Sequence, residues 1–321
     1  MLKDKVNHRK CAIIGCGNVG ATIAYTYTMS GLFSDIVLID LDQARAKGEA
    51  MDLSHGLPFL SPVTVRAGEY KDLSDAAIIV IAAGAAQKEG QTRLELLSAN
   101  MRVFSSIVNQ ITRYTTDAIL LVVTNPVDIL TYHTIRISGY PAHRVIGSGT
   151  VLDTARLKQL MGEYLGVDSR NVHTFVIGEH GDSELPVWSG ANISGINLTD
   201  YFQMCNTCQG LECLDKMFQS VRDAAYKIIE AKGATYYAIA QAVLRITESI
   251  MRDEKSVLTV STYLNGHYGL YDVCLGVPAV VGAEGISQVL DIPLSEDELA
   301  ALHRSAKTVS REIQDTLSYS V

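Results

Sequence analysis

Short apolar runs rich in β-branched residues alternate with longer stretches of helical period along the first half of the chain, and that alternation predicts strands separated by helices. Strands are expected at 11–15 (CAIIG), 35–40 (DIVLID), 64–68 (TVRAG), 77–84 (AIIVIAAG), 118–125 (AILLVVTN) and 144–148 (RVIGS). Helices are expected at 18–30, 42–54, about 92–114 and 126–138. The strands are apolar throughout, so both faces are covered, as in a parallel doubly wound sheet. After Gly149 the texture changes. A helix at about 152–165, a long helix or broken pair over 215–253, strands at 257–264 and 272–282, and a last helix near Ser295 read as mixed α+β. Ser295 stands three residues before Glu298, the spacing of a capping box. The expected architecture is a Rossmann-type α/β domain over 1–148 followed by a mixed α+β domain over 149–321.

Composition narrows the function classes. Lys and Arg number 27 against 35 Asp and Glu, a formal charge of −8 over 321 residues, which argues against a broad nucleic-acid-binding surface. The longest clear apolar run, 76–86, falls short of the roughly 20 residues that a membrane-spanning helix needs. The start, MLKDKVNHRK, has no apolar segment of the secretory kind, so a cytoplasmic location is expected. Six scattered cysteines suit a reducing compartment. Cys205 and Cys208 form a lone C-x-x-C with Cys213 close behind, but no fourth ligand or second pair is evident, so no metal is expected.

Gly15-Cys16-Gly17-Asn18-Val19-Gly20 gives G-x-G-x-x-G between a strand and a helix, and Asp40 closes the next strand. Gly15 permits the tight turn, Gly17 lets the backbone approach a pyrophosphate, and Gly20 lets helix and strand pack closely. The helix N-terminus at Asn18 and Val19 offers free N–H groups to phosphates. An acid at position 40 can accept from ribose hydroxyls and repels a 2′-phosphate, which favours NAD over NADP. A turn that binds nothing, FAD or S-adenosylmethionine fits the glycines alone. Gly84, at the end of another strand, could close over the cofactor. Further on, His180 sits between glycines in GEHGD, after an apolar strand, while Asp153 and Arg156 share a helix face at i, i+3. One could orient a histidine while the other grips an anion.

Taken in order, GCGNVG, IDLDQARAKGEAMDLSHG, TNPVD, GTVLDTAR, GEHGDSE, KGATYYAIA and DVCLGVPAVVG resemble the L-lactate/malate dehydrogenase family, and within it the bacterial L-lactate dehydrogenases. The resemblance runs from about Lys10 to the last helix. It implies hydride exchange between a nicotinamide cofactor and a 2-hydroxy/2-keto acid pair. His180 falls on the family's proton donor, Asp153 on its partner, Arg156 on the carboxylate-binding arginine and Arg93 on the mobile-loop arginine. Asn125 falls on a residue contacting substrate or cofactor, and Thr235 on the small polar residue beside the substrate side chain. Negative charge growing on a ketone oxygen explains the need for a proton donor and a cation.

Malate dehydrogenases carry arginine where the chain has Gln87, so the resemblance favours pyruvate and L-lactate. The alternatives are malate, a larger 2-hydroxy acid, or a non-catalytic NAD-binding protein. Many bacterial relatives are homotetramers activated by fructose 1,6-bisphosphate, through positions that fall on Lys158 and His173. Lys158 lies about 200° around the helix from Arg156, facing away from the active site. Here lysine replaces the family's arginine and lacks its bidentate fork.

Overall fold

The computed structural model describes residues 6–85, 93–205 and 211–319. In chain order the first half contains β1 (Asn7–Ile14), α1 (Asn18–Ser30), β2 (Asp35–Ile39), α2 (Gln43–Gly56), β3 (Thr64–Ala67), β4 (Ala76–Ile81), α3 (Arg93–Tyr114), β5 (Ile119–Val122), α4 (Val127–Ser138) and β6 (Val145–Gly147). Next come α5 (Val151–Leu165) and the two-residue strands β7 (Val172–His173), β8 (Val176–Ile177), β9 (Leu185–Pro186), β10 (Asn192–Ile193) and β11 (Ile196–Asn197). The chain continues through α6 (Leu198–Cys205), α7 (Leu211–Lys232), α8 (Tyr237–Met251), β12 (Ser256–Asn265), β13 (Tyr271–Gly282), β14 (Gly285–Val289) and α9 (Glu296–Tyr319).

Nine strands form one sheet in the order β14-β13-β12-β6-β5-β4-β1-β2-β3. The six strands β1 to β6 are parallel, as their apolar, β-branched sequences predict. At β6 the sheet turns antiparallel, through a pairing of Gly147 with Ser261 of β12. Neighbouring residues of each buried strand feed opposite faces. Ala12 and Ile14 pack with Phe104 of α3, Leu130 of α4 and Leu302 of α9. Cys11 and Ile13 pack with Tyr27 of α1 and Ile246 of α8. Complete burial of side chains such as Ile13 and Phe104 contributes about 1.5–3 kcal/mol each. A third cluster lies beneath α5 and α7, where Leu157 and Met161 meet Val172, Ile193 and Val221.

The stretch read as one long helix or a broken pair is a pair. Gly233, at φ +84°, follows the last residue of α7, a backbone turn that a side chain would resist. The capping box at α9 is formed, since Ser295 N–H donates to Glu298 Oε2 at 2.8 Å and Glu298 N–H donates to Ser295 Oγ at 3.2 Å. The apolar strand expected just before His180 is β8, whereas β7, β9, β10, β11, β14 and helix α6 are not among the expected elements. No helix among the described residues is long and apolar enough to cross a membrane.

Strand order reverses between β1 and β4, and the carboxyl ends of these strands open a crevice there. Residues 15–20, 83–85 and 124–126 all follow strands that end at this edge.

Candidate active site

The turn between β1 and α1 owes its shape to absent side chains. Gly15 has φ +98°, and a Cβ there would stand 2.6 Å from the Ala83 backbone. A Cβ at Gly20 would lie 1.8 Å from the Gly15 carbonyl oxygen, so α1 can approach β1 only with glycine there. At Gly17 an added Cβ meets nothing within 4 Å, which leaves the backbone open to a ligand. No side chain caps the α1 N-terminus, and Asn18 is exposed with Val19 half-buried beside it. Those first N–H groups and the positive dipole end suit a pyrophosphate. Asp40 supports the same turn from β2: Oδ2 accepts from Cys16 N–H at 2.6 Å and Oδ1 from Asp42 N–H at 2.9 Å. The donor set therefore fits a dinucleotide, held by backbone amides at one end and a carboxylate at the other.

On the opposite side of the crevice, Thr124 Oγ1 donates to the Ala83 carbonyl at 2.8 Å. A Cβ at Gly84 would meet Thr124 Cγ2 at 2.6 Å. Buried Asn100 of α3 accepts from Ala85 N–H at 2.7 Å and donates to the Asn125 carbonyl at 3.4 Å. Asn125 itself is exposed and precedes Pro126 through a cis peptide bond.

The titratable cluster is assembled from separate elements. Asp153, in the first turn of α5, is 2% exposed and bridges two partners. His180 Nδ1 lies 2.6 Å from its Oδ2, and Arg156 Nη1 donates to its Oδ1 at 2.8 Å. An ionised carboxylate only accepts, so the hydrogen sits on His180 Nδ1 and leaves Nε2 for other work. Burial pushes the imidazole pKa down, but the charge and hydrogen bond of Asp153 outweigh it, with Glu184 and Asp128 adding to the rise, and His180 reaches about 9. Burial would raise the Asp153 carboxyl, yet the charge and hydrogen bond of His180, with Arg156, hold it below the usual range. The His180 side chain is 23% exposed and that of Arg156 15%, so both are reachable from the crevice.

Both halves of the chain match one family. The lactate/malate dehydrogenase NAD-binding domain covers residues 9–147, and the lactate/malate dehydrogenase alpha/beta C-terminal domain covers 150–319. The chain belongs to the lactate/malate dehydrogenase family. It is 53% identical over 309 residues to L-lactate dehydrogenase of Acetivibrio thermocellus, covering 96% of this chain and 97% of that one. To L-lactate dehydrogenase 1 of Clostridium acetobutylicum it is 50% identical over 305 residues, covering 95% and 97%. Among solved structures, the minor L-lactate dehydrogenase of Enterococcus mundtii in its ligand-bound form superposes with a TM-score of 0.93. That pair is 40% identical, and the match covers 95% of this chain and 98% of that one.

Within this dehydrogenase fold, the remaining expected residues are placed unequally. Arg93 is the first residue of α3, but its side chain lies outside the described residues, as does all of Gln87. Cys208 lies outside them too. Thr235 is half-buried between α7 and α8. Lys158 and His173 line one cavity of about 410 Å³ with Thr154 and Arg245, and His180, Asp153 and Arg156 are not among its walls. Burial lowers the Lys158 ammonium pKa from its ordinary value.

Several polar residues at this centre escape a reading of the sequence. Glu184 is buried beside the pair, with ligand atoms of Asp153, His180 and Glu184 all within 4.8 Å of one another. Burial, then the charge of Asp153, raises its carboxyl pKa, against the pull of His180, Arg156 and Arg222. The three could approach a metal, but both oxygens of Asp153 are already bonded to His180 and Arg156. Ser305 of α9 accepts from Glu179 N–H at 2.8 Å, and Asp128 of α4 accepts from His180 N–H at 2.7 Å. Asp128 lies in TNPVD and Glu184 in GEHGDSE, where nothing local marks either as buried; only the fold turns them inward.

Proposed function

We propose that this chain is an NAD-dependent L-lactate dehydrogenase that interconverts pyruvate and L-lactate. The observation that carries the reading is Asp153 bridging His180 and Arg156, which sets a proton donor beside a carboxylate-binding cation at the edge of a dinucleotide crevice. The names of its relatives support the same substrate pair.

The 15–20 turn and Asp40 would hold NADH, which when bound would supply the hydride to the keto carbon and, as NAD, take it back in the reverse direction. Arg156 holds the substrate carboxylate through two parallel hydrogen bonds from guanidinium donors not engaged with Asp153. Imidazolium at His180 donates the Nε2 proton to the ketone oxygen as that oxygen gains charge, and Asp153 keeps the resulting tautomer in place. In the reverse direction neutral His180 takes the hydroxyl proton. Arg93 polarises the carbonyl, with Asn125 contacting the substrate oxygen or the cofactor. Thr235 borders the substrate methyl. Gln87 selects pyruvate, because a second carboxylate beside a neutral amide would be buried without a partner. In this division of labour residues 1–148 hold the cofactor and 149–321 carry the proton donor.

The cavity holding Lys158 and His173 supports the effector reading: fructose 1,6-bisphosphate binds there, between subunits of a homotetramer, more weakly than an arginine would allow. NADH oxidation followed by absorbance, with pyruvate, oxaloacetate and a branched 2-keto acid in parallel, tests substrate and effector together. The expected result is a kcat/KM for pyruvate well above the others, and a lower pyruvate KM with sugar bisphosphate. Preference for oxaloacetate overturns the substrate reading, and unchanged curves overturn the effector reading.

A further inference from the structure

Asp128 is 2% exposed, and its two oxygens are divided between elements distant in sequence. Oδ2 accepts the His180 backbone N–H at 2.7 Å, and Oδ1 accepts the Ser261 hydroxyl of β12 at 2.5 Å. It occupies the first turn of α4, two residues beyond Pro126, so the helix that begins after the Asn125 turn also grips the main chain of the histidine. Ser261 pairs with Gly147 at the junction where the sheet changes from parallel to antiparallel. A buried carboxylate with no other role at that junction would be a net cost, since it loses hydration for two hydrogen bonds.

We propose that Asp128 is a positioning residue for proton transfer. It ties the His180 main chain to α4 and β12, and adds its charge to that of Asp153 on the imidazole. This rests on the dehydrogenase reading above and names a further residue that the reaction needs. Among the described residues, the titratable groups that act on Asp128 or feel its charge include His180 and Glu179 from the loop after β8, and Cys274 from β13. Around His180 stand Asp153, Glu184 and Asp128. Burial raises the Asp128 carboxyl to about 6, against the hydrogen bonds from Ser261 and His180 that lower it, so it is charged across the neutral range. That charge favours imidazolium, and the clamp fixes the main chain from which the ring projects.

Asp128→Asn removes the charge while keeping the shape and one acceptor. Ser261→Ala removes one arm of the clamp while keeping the charge. In the Asn variant the alkaline midpoint of kcat/KM for pyruvate is expected at least half a pH unit lower. Turnover is expected to fall about tenfold, with the NADH Kd from fluorescence titration within twofold of the unmodified enzyme. The Ala variant is expected to lose about threefold in kcat with its midpoint unmoved and its pyruvate KM little changed. A merely structural residue would lower yield or Tm without moving the midpoint. An Asn variant with an unmoved midpoint, or full kcat in both variants, overturns the proposal. If the unmodified protein reduces another 2-keto acid and not pyruvate, the substrate reading fails, and the midpoint measured with that acid still tests Asp128.

Discussion

The cofactor turn and the histidine loop are built on opposite plans. At residues 15–20 the shape is carried by what is missing: positive φ at Gly15 and a Cβ that cannot exist at Gly20. Residues 178–184 also open on a glycine at φ +98°, but the loop is held chiefly by what is attached, with α4, α5 and α9 each anchoring it through Asp128, Asp153 and Ser305. Backbone shape is a local property and needs only a short motif. A polar network is not local, since its members come from 128, 153, 156, 180, 184 and 305 and meet only when the sheet has formed.

That contrast can be broken at either end. The largest effect is expected from His180→Ala, which should cut pyruvate turnover on the order of 10²–10⁴-fold or more while NADH still binds, because the cofactor turn does not depend on this ring. Parallel loss of NADH affinity would show that the two regions are not separable. Gly20→Ala should do the reverse. Its methyl would fall on the Gly15 carbonyl, so NADH affinity is expected to drop tenfold or more and stability by about 1–3 kcal/mol, read by fluorescence titration and urea unfolding. Unchanged affinity would mean that α1 can move away from β1 at little cost.

The same contrast explains what could be read in advance. Helix α1 is bounded by Gly17 and by Gly31 at φ +67°, punctuation that the sequence itself displays. The parallel order of β1 to β6 follows from uniformly apolar strands alternating with helices. Asp153 and Arg156 are legible as a pair because one helix turn separates them, and their bond at 2.8 Å is the expected i, i+3 contact. By contrast, Asp128 reads as an acid favouring a helix N-terminus, and Glu184 as a loop carboxylate. Asn100, which ties residue 85 to Asn125, sits midway along α3 with nothing local to mark it. Strands of two residues, such as β9 and β10, have no period to detect.

In the proposed reaction Asp153 keeps His180 protonated for donation to a 2-keto acid. The most direct measure of that role is the pH profile of kcat/KM for pyruvate in the unmodified enzyme and in Asp153→Asn. His180 is raised to about 9, so reduction should hold through neutral pH and fall as pH rises through about 9, while lactate oxidation, which needs the neutral ring, should rise across that interval. In the Asn variant the fall should move toward the ordinary histidine value of about 6.5. An alkaline limb at the same pH in both proteins would contradict it.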